Sequence, residues 1–268
     1  MRESEQQCGE ERMSLRRLEG KVAVVSGTGS GIGRALALLF AEHGACVVGS
    51  DLNIGAAGET LKTVTARGGR MVSLQPVDMS VEDDVARVIS LAADTFGHID
   101  ILINNVGIPA FAAIGQMTYE QWSATLRQEL DSVFFACTFV WPHLIARGSG
   151  AIVNIASASG KIAYQGVPAF AHCAGKGGVI GLTRQLAMEG GAHSIRANSI
   201  SPGFVETGAT RELMKNQEWL ALQKRKLMLN GRIGRPEDVA YCALYLASDE
   251  AAWVTGADFA VDGGTTAW

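Results

Sequence analysis

An imidazole and an ammonium lie four residues apart at His172 and Lys176, in a stretch of helical character, so both project from one helix face. Upstream, Ser157 follows the apolar run Ala151-Ile152-Val153-Asn154-Ile155, which reads as a buried strand. With an ordinary pKa of about 6.5, neutral imidazole is a general base suited to neutral pH. A lone histidine is more often packed than catalytic, so His172 takes its meaning from its neighbours.

A second constellation lies near the N-terminus. Ser26-Gly27-Thr28-Gly29-Ser30-Gly31-Ile32-Gly33 joins an expected strand to an expected helix. Glycines permit a tight turn and let backbone N–H groups approach a pyrophosphate, whose charge then sits at the helix N-terminus. Such a cluster is equally compatible with a structural turn; an acidic residue about twenty positions on sharpens the reading. That residue is Asp51, followed by Leu52. A carboxylate there accepts both ribose hydroxyls of NAD and repels a 2′-phosphate. Ser30 brings no positive charge to the turn, and Arg34 begins the helix. The expected cofactor is NAD.

The elements that must hold these groups alternate along the chain. Strand-like runs at residues 21–26, 46–51, 71–75, 101–104, 151–156, 195–201 and 259–261 are separated by helix-like stretches, among them 32–43, 117–147 and 169–189. That alternation implies α/β architecture, a parallel sheet covered by helices on both faces. Residues 17–268 read as one domain, and the polar, mixed-charge residues 1–16 as a disordered tail. The segment 204–235 departs from the pattern: it is helix-like and carries Leu213, Trp219, Leu222, Leu227 and Met228. It reads as a mobile lid over an apolar substrate, with a core-packed helix pair as the alternative.

Composition excludes several classes. The net charge of −4 argues against a nucleic-acid or anionic-membrane surface, and no apolar run is long enough to span a bilayer. The five cysteines are odd in number and lack C-x-x-C spacing, so they read as reduced thiols of a cytoplasmic protein. His43, His98, His143 and His193 show no metal-ligand spacing, so no metal is expected.

In order along the chain, these pieces resemble the short-chain dehydrogenase/reductase family. Asn104-Asn105-Val106-Gly107 resembles its Asn-Asn-Ala-Gly strand end, and Asp78-Met79 the pair that flanks the adenine. Pro202-Gly203-Phe204-Val205-Glu206-Thr207 resembles the turn and threonine that hold the nicotinamide amide, and Val261-Asp262-Gly263-Gly264 the C-terminal signature. The resemblance runs from Leu18 to Gly264 and implies a single doubly wound, Rossmann-type sheet. It also implies a homotetramer or homodimer built partly on the long helices, with Trp253 and Trp268 near a second interface.

In family members with the full set, a tyrosine hydroxyl exchanges a proton with the substrate oxygen while hydride passes to or from the nicotinamide. A lysine lowers the tyrosine pKa and binds the ribose, a serine orients the substrate oxygen, and an asparagine holds a relay water. Ser157 and Lys176 match the serine and lysine. His172 occupies the tyrosine slot, and Glu129, aligned on Leu130 and Phe134, the asparagine slot. Tyr164 does not restore the motif, because Pro168 stands four residues after it. The cations Lys176 and oxidised nicotinamide would lower the imidazole pKa, favouring proton abstraction from an alcohol. Glu129 could pair with Lys176 or with His172. The implied activity is NAD-dependent oxidation of a hydrophobic secondary alcohol, or reduction of the ketone, beside Phe111, Ile114, Phe170 and Trp219. A lyase, isomerase or dehydration on the same scaffold, or a cofactor-binding protein of weak activity, stands as the alternative.

Overall fold

Strand β1, Val22–Ser26, is buried along its whole length, because strands flank it on both sides and helices cover both faces. Alternate residues serve different cores: Ala23 and Val25 face one, Val22 and Val24 the other. Two-sided burial is why the strands read as continuous apolar runs rather than as polar–apolar alternation.

The computed structural model describes residues 16–163, 166–208 and 210–268. After β1 come α1 (Gly31–Glu42), β2 (Cys46–Ser50), α2 (Ile54–Ala66), β3 (Arg70–Leu74), α3 (Glu82–Phe96) and β4 (Ile101–Asn104). The chain continues through α4 (Tyr119–Leu126), α5 (Ser132–Arg147), β5 (Gly150–Ile155), α6 (Phe170–Gly190) and β6 (Ile195–Pro202). It closes with α7 (Gln217–Lys226), α8 (Pro236–Ala247) and β7 (Asp258–Val261). All strands are parallel, in the order β3-β2-β1-β4-β5-β6-β7, the single doubly wound sheet expected. Leu36 and Phe40 of α1 pack with Val239 and Leu244 of α8 on one face. Val88 of α3, Val140 of α5 and Val179 of α6 cover the other.

The chain leaves β1 toward β2 on one side and returns later as β4 on the other, so a crevice opens at the carboxyl ends of β1 and β4. Gly27, Asp51, Asn105, Ser157 and Gly203 all lie just beyond strand ends on this side of the sheet.

Two expectations need correction. Residues 117–147 are not one α-helix: α4 begins behind a Thr118–Gln121 capping box, and a π turn over Arg127–Asp131 separates it from α5. The wider turn inserts a residue into the helical spacing and directs Glu129 inward, where it is completely buried. Among the described residues of segment 204–235, helix is confined to Gln217–Lys226 and a short turn at Leu213–Lys215. Asn216 caps α7, and Asn230 and Gly231 adopt positive φ, so turn residues interrupt the apolar pattern. Both ends of the segment are tied together, with Gly234 N–H donating to Phe204 O and Glu206 N–H to Gly234 O. The expected tail, apart from Arg16, and Tyr164 lie outside the described residues.

Candidate active site

A cleft of about 360 Å³ runs along the carboxyl ends of the central strands. Eleven of the expected cofactor residues line it: Gly27, Ser30, Gly31, Ile32, Asp51, Leu52, Met79, Asn105, Val106, Gly107 and Thr207. Val77, Ile108 and Gln128 line it as well, without having been expected.

The cleft floor is built by close approach. Gly33 packs onto the Gly27 carbonyl so tightly that no Cβ would fit, which seats α1 on the end of β1. Asn105 holds the turn from the other side, its Nδ2 donating to Ser26 O at 3.0 Å. Ser30 is the N-cap of α1 but makes no side-chain cap, leaving the first-turn N–H groups facing the cleft uncapped. Asp51 is held by Gly29 N–H at 2.7 Å on one carboxylate oxygen and Asn53 N–H at 2.7 Å on the other. Arg34 is turned away, its guanidinium 3.4 Å from the hydroxyls of Thr60 and Thr63.

The remaining expected residues serve the cleft indirectly. Gly203 N–H donates to Val261 O at 3.0 Å, fixing the turn after Pro202, and the buried Val205 bridges to Gly234. That turn carries Thr207 against Gly31. The Asp78 side chain does not line the cleft; it accepts from Ser80 N–H, Ser80 Oγ and Gln128 Nε2. Burial pushes its pKa up, but these hydrogen bonds outweigh it and hold the carboxyl below its ordinary value.

Beyond the cleft, the π turn meets α6. Glu129 Oε1 lies 2.7 Å from His172 Nδ1, so the expected choice of partners resolves in favour of the imidazole. A carboxylate only accepts, so Nδ1 carries the proton and Nε2 is the free ring nitrogen in neutral imidazole. The other carboxylate oxygen, Oε2, is buried without a hydrogen-bond partner. Helices come this close because Gly175 stands opposite: a Cβ there would lie 3.0 Å from Oε2 and 3.3 Å from Glu129 Cβ.

Lys176 is buried one turn further along α6, donating from Nζ to Ile155 O at 2.9 Å. Burial lowers its pKa, and the Glu129 carboxylate partly offsets that. Glu129 Oε1 and Lys176 Nζ both lie 3.2 Å from the point where a Cβ on Gly107 would sit, so the pair borders the cofactor cleft. Ser157 Oγ accepts from Ser159 N–H at 3.1 Å, which leaves its own hydrogen free to donate elsewhere. Phe111 meets the His172 ring edge-on at 6.0 Å, whereas Phe170 packs on Trp122 and Trp219 on Phe204. Glu129 thus joins His172 of α6 and comes near Lys176 beside Gly107 at the edge of the cleft, while Ser157 stands just past the end of β5, the strand whose Ile155 carbonyl holds Lys176.

Comparison with known proteins shows the family to which the chain belongs. A family model described as enoyl-(acyl carrier protein) reductase matches residues 27–266. The chain is 38% identical to the 3-oxoacyl-[acyl-carrier-protein] reductase FabG of Thermotoga maritima, over 92% of this chain and 98% of that one. It is 35% identical to the cyclohexanol dehydrogenase of an Acinetobacter species, over 96% and 99% of the two chains. The crystal structure of gox2181 superposes with a TM-score of 0.92 at 32% identity, covering 96% of this chain and all of that one. With this sheet, this glycine turn and these relatives, the chain belongs to the short-chain dehydrogenase/reductase family of oxidoreductases.

Proposed function

We propose that this enzyme oxidises a hydrophobic secondary alcohol with NAD, using His172 as the base in place of the family's tyrosine. The observation that carries this reading is the 2.7 Å contact between Glu129 Oε1 and His172 Nδ1. It selects the tautomer whose Nε2 can take a proton, and it places a carboxylate to stabilise the imidazolium that results.

The chain's own groups divide the work. Ser157 Oγ, with its acceptor side taken by Ser159 N–H, donates to the substrate oxygen as negative charge develops there. His172 Nε2 receives the hydroxyl proton. Lys176 spends one of its three N–H donors on Ile155 O, and the others would be available to hold a cofactor ribose. A nicotinamide held in the cleft would supply the acceptor for the hydride that leaves the carbinol carbon, so that the alcohol becomes the ketone.

The uncapped N-terminus of α1 and the cradle at Gly27 and Gly33 fit a pyrophosphate. Asp51 fits a free ribose 2′-hydroxyl, and Arg34, committed to Thr60 and Thr63, offers no charge to a 2′-phosphate; both favour NAD. Phe111 against His172, with exposed Ile108 and Ile114, supports an apolar substrate. A relative named for cyclohexanol is consistent with that class. Self-association as a homodimer or homotetramer is assigned to α5 and α6, where Phe134, Trp141, Leu182 and Leu186 line a shared groove. Cys46, Cys137, Cys173 and Cys242 are free thiols, in keeping with a reducing, cytoplasmic setting.

The test is turnover of secondary alcohols, followed by reduced-nicotinamide absorbance, in the wild type and His172→Tyr. A base specialised to its Glu129 partner predicts that His172→Tyr loses most activity on substrates the wild type accepts. Equal or higher turnover by His172→Tyr would refute the role of the imidazole.

A further inference from the structure

The proposed base is held by one hydrogen bond, between His172 Nδ1 and Glu129 Oε1. A ring fixed at one atom still swings about that bond and carries Nε2 with it. A second contact on the ring comes from Phe111, edge-on at 6.0 Å, in the loop after β4. The His172 side chain is 16% exposed, whereas Phe111 is 46% exposed. Phe111 therefore lies against a mostly sheltered imidazole while itself staying half open to an incoming ligand.

What holds Phe111 is the backbone on either side of it. Ala110 N–H donates to Thr125 Oγ1 at 2.9 Å, and Ala112 forms a parallel bridge to Ala169, the N-cap of α6. Thr125 is a buried residue of α4, and its hydroxyl also donates to Gln121 O at 2.9 Å. A helical threonine that bonds back to the preceding turn is ordinary. Here the same oxygen also accepts from a loop 15 residues away, so its hydrogen and a lone pair are both engaged. Trp122, Thr125 and Glu129 follow one another along α4 and the π turn, and each meets the start of α6 or the loop beside it. Trp122 packs on Phe170, Thr125 holds Ala110 and Glu129 holds His172. One helical segment thus grips the imidazole twice, directly at Nδ1 and at one remove through Phe111.

We propose that Thr125 is a positioning residue for the alcohol oxidation: by holding Ala110 N–H, it seats Phe111 on the His172 ring and keeps Nε2 aligned with the substrate hydroxyl. Thr125 does not line the cofactor cleft and acts through Phe111. Misplacing a reacting group by about 1 Å costs up to about 100-fold in rate, so a loop anchor remote from the proton transfer is enough to matter. This role rests on the oxidation reading of the site, and its test separates the two.

Rates with a cyclic secondary alcohol and NAD are measured on wild type, Thr125→Val, Thr125→Ser, Phe111→Ala, and Thr125→Val combined with Phe111→Ala. Calorimetry with NAD and thermal melts accompany them. Valine keeps the shape of threonine but leaves Ala110 N–H without its acceptor, so kcat should fall about tenfold while NAD affinity stays within about twofold. Thr125→Ser keeps the hydroxyl and should hold kcat within about threefold of the wild type. Added to Phe111→Ala, Thr125→Val should cost less than about twofold more, because its route to the imidazole is already gone. Should Thr125→Val not fold, Thr125→Ala takes its place in the same cycle. Fully additive losses, a Thr125→Val enzyme as fast as the wild type, or a Thr125→Ser enzyme as slow as Thr125→Val would overturn the role of Thr125 and leave the oxidation standing. If the wild type oxidises no secondary alcohol, the oxidation reading itself fails, and this role with it.

Discussion

Replacing Glu129 by glutamine changes one atom type and one charge at the centre of the proposed site. The native carboxylate is completely buried, with Oε1 2.7 Å from His172 Nδ1 and Oε2 unpartnered. A charge-assisted hydrogen bond of this kind contributes about 1.5–3 kcal/mol. If that stabilisation is realised as the imidazolium forms, Glu129→Gln lowers kcat/KM by roughly 10- to 150-fold. The loss is larger if the amide presents its nitrogen to Nδ1, because the ring proton then moves to Nε2 and the base is gone; in a comparable triad that costs about 10⁴-fold. Stability should move the other way. A buried charge with an unmet oxygen is replaced by a neutral amide, so Tm should hold or rise. Initial rates with a cyclic secondary alcohol, read as reduced-nicotinamide absorbance beside a thermal melt, test both halves. Turnover within twofold of the wild type would refute a catalytic function for the contact. A parallel fall in Tm and activity would reduce it to a packing role.

The close packing of α6 on the π turn makes a paired prediction. Gly175→Ala forces a methyl to 3.0 Å from Glu129 Oε2 and should cost about 1–3 kcal/mol, whereas Gly181→Ala on the same helix meets nothing within 4 Å and should gain about 0.5–1 kcal/mol; urea midpoints give both signs. Asp51→Ala should weaken NAD binding by roughly tenfold or more while sparing NADP, and calorimetry with the two dinucleotides checks it. Burial pushes the Cys137 thiol up to about 12 and the Cys242 thiol up to about 11. Both therefore stay protonated at pH 8.5, and iodoacetamide should label them only after unfolding, as peptide mass mapping would show.

What the sequence disclosed and what it withheld divide along a physical line. The strands, the glycine turn and Asp51 were legible because each is set by local pattern: apolar runs, residues that permit tight turns, and a fixed spacing from strand to acid. The π turn was not, because one extra residue in a helical repeat leaves the composition of 117–147 unchanged. Yet that residue decides where Glu129 points. Nor could spacing choose between His172 and Lys176 as its partner, since the choice depends on how α6 sits against the turn across 43 residues of chain.

The two departures from the family pattern are best understood as one. A histidine alone in the tyrosine slot would hold its proton on either nitrogen, and only one tautomer offers a base to the substrate. A glutamate alone in the asparagine slot would be a carboxylate buried with both oxygens unmet, a costly arrangement. Each residue supplies what the other lacks: the carboxylate fixes the tautomer, and the imidazole gives the carboxylate a donor. Their energies should therefore be strongly non-additive, as they are for groups that act as a unit. A residue-by-residue comparison with the family scores two losses at this site, whereas the 2.7 Å contact supports one exchange of a tyrosine-based proton relay for a carboxylate–imidazole pair.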